Sequence, residues 1–353
     1  MEDLLVHNFE IQSHTGPYSV EFIENITDNK LLQNLGTHYL IDKNVFMKMS
    51  QEEHLQLGMR QILLVDADEK TKSYLGIEPF IKGLINQEMR RDSKLVAIGG
   101  GIIQDITCFI ANNFMRGIPW TFVPTTLLAQ ADSCIGSKSS INFGNHKNLL
   151  GSFTPPDRVI ISSKFLDTLE TKDFKSGVGE IIKLLLIGGR LTEPGEINRA
   201  NVNQYVYDAL QIKKKFIEED EFDKGVRNIL NYGHCFGHAI ETATDYLIPH
   251  GIAITIGMDI ANRLSLNLQS IDQDKFDGMH QVLVDNYKDY QGIGISKQKI
   301  FEAITTDKKN TSSHINVILP VGESFEKKGF SYSGTFWDMA SKALEQTPII
   351  VRS

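Results

Sequence analysis

Cysteine is scarce in this chain: Cys108, Cys134 and Cys235 are the only three among 353 residues. They are odd in number and lack metal-type spacing. That argues against a disulfide framework or a thiolate zinc site and for a reduced, cytosolic compartment. Positive charge is also in short supply. The 36 Lys and Arg are outnumbered by 44 Asp and Glu, for a net charge of −8. A nucleic-acid binder shows a basic footprint, and none dominates here. No apolar run approaches the roughly 20 residues of a membrane span. The opening MEDLLVHNFEIQ carries acids and no apolar core, so it does not read as a signal peptide. Internal repeats and low-complexity tracts are missing as well. What remains, at 41% hydrophobic and 23% charged, is the composition of a soluble globular protein, long enough for about two domains.

Strands alternate with helices in the first half. HYLI (38–41), QILLV (61–65), KLVAI (94–98), WTFVP (120–124) and RVIIS (158–162) read as strands. Amphipathic stretches such as YLGIEPFIKGLINQEMR lie between them. This alternation predicts a parallel sheet covered by helices. LLVHNFEIQSHTGPYSVEFIEN reads as a hairpin that turns at Thr15-Gly16-Pro17. Helical periodicity takes over from about residue 165, and strand candidates become rare until HINVILP (314–320). A boundary near 163–177 divides the chain into an α/β domain (1–165) and a mainly helical domain (166–353).

Four stretches carry chemistry. Gly99-Gly100-Gly101 follows the strand KLVAI and opens the apolar helix IIQDITCFIANN. A strand, a glycine turn and a helix N-terminus gather backbone N–H groups where a phosphate or pyrophosphate binds. The spacing is not GxGxxG, and close strand–helix packing is the competing explanation. The segment 124–153, PTTLLAQADSCIGSKSSINFGNHKNLLGSF, is long, polar and punctuated by Asp132, Lys138, Lys147 and Asn148. It reads as a functional loop able to hold an anion, against the plainer alternative of solvated lysines. In RNILNYGHCFGHAIETATDYLIPH, Arg227, Asn231, His234 and His238 recur at helical spacing as one polar face. Gly233 and Gly237 on this stripe call for a close approach to the backbone. Two imidazoles and a carboxylate suit a catalytic zinc with one open position. Spacing alone pairs His234 with His238 and seeks a carboxylate. Glu180, one turn from Lys183 in GVGEIIKLLLI, is the candidate. A surface ion pair is the alternative there.

GGGIIQD, FMRG, PTTLLAQADS, KNLLG, GEIIK and RNILNYGHCFGHAIE stand in the order and spacing of the 3-dehydroquinate synthases. The chain resembles that group, within the wider family of sugar phosphate cyclases, from about residue 38 to 320. The resemblance implies an α/β N-terminal nucleotide-binding domain and an all-helical C-terminal domain. It also implies bound NAD and a divalent metal, zinc or alternatively cobalt. The implied ligands are Glu180, His234 and His250, with His238 moved to substrate phosphate. NAD would meet Asp42, Asn44, Glu69, Lys72, Gly100, Gly101, Asp105, Thr125 and Thr126. The substrate's carboxylate and phosphate would meet Lys138, Lys147, Asn148, Lys183, Lys213, Arg227, Asn231 and His238, joined by Lys308 or Lys309. Asp132 would address a substrate hydroxyl, and Arg116 would reach in from the partner of a homodimer.

The implied reaction is that of a phosphate-eliminating lyase of the shikimate pathway, which leads to the aromatic amino acids. It takes 3-deoxy-D-arabino-heptulosonate 7-phosphate to 3-dehydroquinate. NAD oxidises a ring hydroxyl, phosphate is eliminated, the hydride returns, and an intramolecular aldol closes the carbocycle. One loop departs from the group's pattern: GSKSSIN (136–142) stands where GGKTGIN is usual, and HKN resembles relatives that cyclise sedoheptulose phosphate. Arg227, Asn231 and His238 match the dehydroquinate type. The competing readings are a cyclase for another sugar phosphate, such as an amino analogue or sedoheptulose phosphate, and a metal-dependent polyol dehydrogenase.

Overall fold

The computed structural model describes residues 8–28, 36–57, 61–144, 146–306 and 314–352. The chain divides into two units, 1–170 with 214–222, and 171–213 with 223–353.

The first unit is built on a seven-stranded sheet. Its elements are β1 (Phe9–Ile11), β2 (Tyr18–Phe22), β3 (Thr37–Asp42), α1 (Lys43–Lys48), α2 (Gln51–Leu57), β4 (Gln61–Val65), α3 (Glu78–Asn86), β5 (Lys94–Gly99), α4 (Gly101–Asn113), β6 (Trp120–Pro124), β7 (Lys138–Phe143), β8 (His146–Phe153) and β9 (Arg158–Ile161). The sheet order is β1-β2-β9-β6-β5-β3-β4. Only the β1–β2 hairpin is antiparallel. Gly16 takes φ +113° at its turn, where the sequence places it.

β3, β5 and β6 are almost wholly buried. That is the pattern of parallel strands covered on both faces. Tyr39, Ile41, Val96, Ile98, Val123 and Ile160 form one apolar cluster, closed by Leu57. Within the order β4-β3-β5-β6-β9 the chain first steps from β3 to β4, then crosses back to β5 on the other side of β3. This is the doubly wound arrangement whose ligand crevice opens at the C-terminal ends of the two strands where the order reverses.

The segment 124–153 is not the open loop that its polarity suggests. It holds a π-helical turn, Ala129–Ser133, and the antiparallel pair β7–β8. Ser139, Ile141 and Asn142 are buried in that pair. Ser139 and the hydrogen-bonded Asn142 take inner positions that apolar side chains would normally mark, so no alternation shows in the sequence.

The second unit is mainly helical. It comprises α5 (Thr171–Ile187), α6 (Val202–Glu219, whose last turns group with the first unit), α7 (His234–Ala243), α8 (His250–Asn267), α9 (Gln273–Tyr287), β10 (Gly294–Ser296), α10 (Lys297–Thr306), β11 (His314–Val321), β12 (Ser324–Ser331), α11 (Gly334–Glu345) and β13 (Ile350–Arg352). Two small sheets, β10–β13 and β11–β12, are added to the helices; of these only β11 is legible in the sequence.

α8 is the hub and packs against α5, α7, α9 and α11. Its buried polar residues are paired. Asp259 accepts from His280 Nδ1 at 2.7 Å and from the Tyr287 hydroxyl at 2.6 Å. Thr255 accepts from Asn286 at 3.0 Å, and Asn262 from the Tyr232 hydroxyl. Among the described residues no helix is long and apolar enough to cross a membrane.

Candidate active site

The single polar helix face expected over Arg227–His238 is broken in two. Val226–Asn231 is a 3-10 helix, Gly233 turns at φ +78°, and α7 begins only at His234. A Cβ at Gly233 would stand 2.7 Å from the Ile254 carbonyl and 2.5 Å from Met258, both on α8. Gly237 lies against Ile254 in the same way. The close approach that these glycines demand is therefore helix packing.

A second glycine contact sets the chemistry. Gly179 of α5 and Gly251 of α8 abut, a Cβ on Gly179 falling 2.3 Å from the Gly251 carbonyl. Glu180 and His250 are the next residue on one side and the preceding residue on the other, and the contact brings them face to face. His250 Nε2 lies 3.3 Å from Glu180 Oε1, while Lys183 Nζ sits against Oε2. Glu180 and Lys183 are thus a buried pair, not a surface one. Neither carboxylate oxygen of Glu180 receives a well-formed hydrogen bond, although both are fully buried. A buried carboxylate in that condition suits a cation.

Both imidazoles are oriented through Nδ1. A carbonyl can only accept, so His234 Nδ1 donates to Tyr232 O at 3.1 Å, which leaves Nε2 as a lone pair. His250 Nδ1 lies 3.0 Å from Glu241 Oε2. Carboxylates and carbonyls in this relation orient metal-binding histidines. Burial alone would lower the pKa of His250, but Glu180 and Glu241 outweigh it and raise it to about 10. The pocket already attracts positive charge at this ring.

Ligand atoms of Glu180, His234 and His250 lie within 4.8 Å of one another, and so do those of His238, Glu241 and His250. His234 and His238 share neither group. The set implied by the resemblance is one of these two groups, and the pair suggested by helical spacing is split between them. Glu241 escaped the sequence reading, although it stands three residues past His238 on the same helix.

Other anion-binding candidates of this unit are also placed. Lys213 of α6 and Arg227 are buried, and Asn231 donates to Asn228 O at 3.1 Å. The His238 ring centroid is 5.1 Å from that of His234 and 5.8 Å from that of His250. Lys308 and Lys309 lie outside the described residues.

In the first unit the residues expected at NAD gather at the C-terminal ends of β3 to β6. Asp42 ends β3 and caps α1, accepting from Asn44 N at 2.8 Å. β3 pairs with β5 up to Ile41 and Ile98, so the Gly99–Gly101 turn stands beside Asp42. Gly99 packs on Ile103, whereas a Cβ at Gly100 would meet Thr126 Cγ2 at 3.0 Å and one at Gly101 would find nothing nearer than 3.9 Å. Packing accounts for Gly99, and the room lies at Gly101. Thr125 N donates to Gly99 O at 2.9 Å, and the buried Thr125 hydroxyl has no hydrogen-bond partner. Thr126 Oγ1 accepts from Ala129 N at 3.2 Å.

Lys72 Nζ lies 2.6 Å from Asp105. Burial pushes the Asp105 carboxyl up, against Lys72 and the Ser140 N–H, which favour its charged form. Glu69 accepts from the Asn142 side chain at 2.8 Å. Asp132 sits in the π-helical turn. Lys138, Lys147 and Asn148 are exposed on β7 and β8, with Asn148 at φ +51°. Arg116 is exposed, at φ +67°. Burial pushes the Cys108 thiol up to about 11.

Residues 62–176 match the model of the 3-dehydroquinate synthase N-terminal domain, and residues 177–310 that of the 3-dehydroquinate synthase C-terminal domain. A 3-dehydroquinate synthase of Helicobacter pylori (strain G27) is 36% identical over 274 residues, covering 76% of this chain and 80% of its own. That of Streptococcus equi subsp. equi (strain 4047) is 31% identical over 338 residues, covering 91% and 94%.

Among solved structures, a 2-deoxy-scyllo-inosose synthase complexed with carbaglucose-6-phosphate, NAD+ and Co2+ superposes with a TM-score of 0.83 at 21% identity, covering 96% of this chain and all of that one. A 2-epi-5-epi-valiolone synthase from Streptomyces hygroscopicus subsp. jinggangensis 5008 with NAD+ and Zn2+ bound gives 0.77 at 20%, covering 94% and 96%. These two carry the fold. The two domain models and the sequence relatives carry the family: this chain belongs to the 3-dehydroquinate synthases.

Proposed function

We propose that this chain converts 3-deoxy-D-arabino-heptulosonate 7-phosphate to 3-dehydroquinate and phosphate, as an NAD- and metal-dependent lyase. The observation that carries the metal part is the buried Glu180 carboxylate facing His250, with His234 in the same cluster. When bound, NAD supplies a hydride acceptor that is restored within the turnover, and a divalent ion supplies a Lewis acid. Zinc and cobalt both suit two imidazoles and a carboxylate, and the two structural neighbours hold Zn2+ and Co2+.

The protein's own part is positioning and charge. Asp42 and the Gly99–Gly101 turn offer a ribose and a pyrophosphate subsite at the C-terminal ends of neighbouring strands. Lys138, Lys147, Lys183, Lys213 and Arg227 supply cations for a substrate bearing phosphate and carboxylate. Arg227 holds a carboxylate through two parallel bonds, and Asn148 and Asn231 add directional hydrogen bonds. His238 donates to a phosphate oxygen in this reading, and Asp132 accepts from a hydroxyl.

Ser137, the departure nearest to Lys138, is 2% exposed. Ser140 gives its N–H to Asp105. Both observations support a structural role for the altered loop and an unaltered substrate. The exposed Arg116 fits a contact with a second copy of the chain. The free cysteines fit a reducing cytosolic location.

The deciding experiment follows phosphate release with NAD present, with heptulosonate phosphate and sedoheptulose phosphate in competition. The acid should win by a large factor, because its carboxylate can take two parallel bonds from Arg227 and sedoheptulose phosphate has no carboxylate to offer. Arg227→Lys should lose most activity on the acid. Preference for sedoheptulose phosphate would overturn the dehydroquinate assignment and leave a cyclase of another sugar phosphate.

A further inference from the structure

Asn142, which none of the site assignments includes, is buried at 6% exposure among residues that are assigned. Its Nδ2 donates to Glu69 Oε2 at 2.8 Å and to the Glu69 carbonyl at 3.0 Å. Its Oδ1 accepts the N–H of Asn148 at 2.9 Å. The orientation of the amide follows from its partners. A carboxylate and a carbonyl can only accept and a backbone N–H can only donate, so the flipped amide would lose all three bonds. The main chain of the same residue is paired as well. Its N–H donates to Lys72 O, and its carbonyl accepts from Tyr74 N, both at 2.9 Å.

One residue thus ties together the 69–74 segment, which offers Glu69 and Lys72, and the β8 strand, which offers Asn148. The link to Asn148 falls at a demanding point. Asn148 has φ +51°, a left-handed conformation uncommon in L-residues though least so in asparagine, and the bond from Asn142 helps to hold it. β7 is irregular beside it, with a register shift between Ile141 and Phe143.

We infer that Asn142 is a positioning residue that couples the cofactor segment to the substrate-binding strand: filling the nucleotide subsite fixes Glu69, Glu69 fixes the Asn142 amide, and the amide fixes the backbone of Asn148. The inference rests on the proposed roles of Glu69, Lys72 and Asn148. It predicts that one side chain, touching neither ligand, alters the affinity for both.

The test uses the full chain with Asn142→Leu, which removes donor and acceptor at similar volume, and with Asn142→Asp alone and combined with Glu69→Gln. NAD affinity is read by calorimetry, and kcat and KM for heptulosonate phosphate at saturating NAD. Amide exchange of residues 138–153 is followed with and without NAD. Asn142→Leu should weaken NAD binding and raise KM by about tenfold each, the worth of a hydrogen bond to a charged group. Its kcat should change far less, and the slowing of exchange that NAD brings to 138–153 should vanish. Asn142→Asp sets two carboxylates against each other and should be as poor. Because Glu69 itself is assigned to NAD, Glu69→Gln alone is the reference: in that background Asn142→Asp rebuilds a donor–acceptor pair and should cost far less NAD affinity than it does in the wild type, which is the recovery sought.

If Asn142→Leu fails to fold, the recovery in the double variant alone decides. Wild-type values in Asn142→Leu, a change confined to one ligand, or no recovery in the double variant overturns the coupling. Calorimetry and exchange need no turnover. A wild-type protein inactive on heptulosonate phosphate would sink the dehydroquinate reading, while NAD-dependent protection of 138–153 that is lost in Asn142→Leu would still uphold the coupling.

Discussion

Gly251 of α8 lies so close to Ser176 of α5 that a Cβ at Gly251 would stand 1.8 Å from the Ser176 carbonyl oxygen. Ser176 also accepts the Gly251 N–H on its hydroxyl at 2.9 Å. This contact holds the first turn of α8 against α5 at the level where His250 meets Glu180.

Gly251→Ala should therefore separate the two helices and open the ligand set. Overpacking of this kind costs roughly 1–3 kcal/mol. The expected result is a lower melting temperature together with loss of bound metal after dialysis. Retention of full metal content would show that the glycine contact does not set the site.

Alanine at Glu180, His234 or His250 should abolish metal retention and activity together. His238→Ala should keep the metal and raise KM. Glu241→Ala should keep a ligand set that binds metal about 10–100-fold more weakly, since it removes the group orienting His250. Elemental analysis after dialysis separates these outcomes. Metal lost from His238→Ala and kept by His250→Ala would restore the helical pair as the site.

Gly100→Val places two γ-carbons beside Thr126, where even a Cβ stands at 3.0 Å. NAD affinity should fall sharply, with the circular dichroism spectrum unchanged. Normal affinity would return the whole Gly99–Gly101 turn to packing.

Glu221 supplies a pH test in the first unit. Burial would raise its pKa, but the Ser13 hydroxyl and His14 outweigh it and hold it below the ordinary 4.5. Its bonds include the His14 N–H at 2.8 Å and the His14 ring at 2.9 Å. A depressed carboxylate stabilises above its unfolded pKa, and that contribution is lost as pH falls through the folded value. Glu221→Gln should melt lower than wild type at neutral pH, by roughly 1 kcal/mol per weakened bond. The gap should close as pH drops below 4.5. An equal gap at both ends would assign the effect to shape instead of charge.

Much of the first unit is legible because its strands are covered on both faces. HYLI and WTFVP are short, mostly apolar runs, and glycines punctuate the turn after KLVAI. The ion pair of Glu180 and Lys183 is legible as charge inside an apolar run. His250 is not: it meets Glu180 through the contact of Gly251 with α5, and no spacing within one helix reveals an approach between two. The break at Gly233 is hidden for a related reason. A glycine in a periodic segment can mark a packing face or a stop, and here it is both. Glu241 and Asn142 act through other side chains, so their types and positions carry no signature of their own.

The sheet order also has a consequence for how the chain acquires its fold. Among the described strands, β2 pairs with β1 and β9, with Ser19 beside Arg158. An isolated two-stranded hairpin is marginal in water. During synthesis β1 and β2 must therefore wait, edges bare, until the chain has extended past β9. The segment that holds Ser13 and His14 waits longer still, for Glu221. Closing loops of that length is slow. The hairpin should be the last part of the first unit to gain amide protection on refolding and, with its unpaired edge, the part most prone to strand exchange between nascent chains.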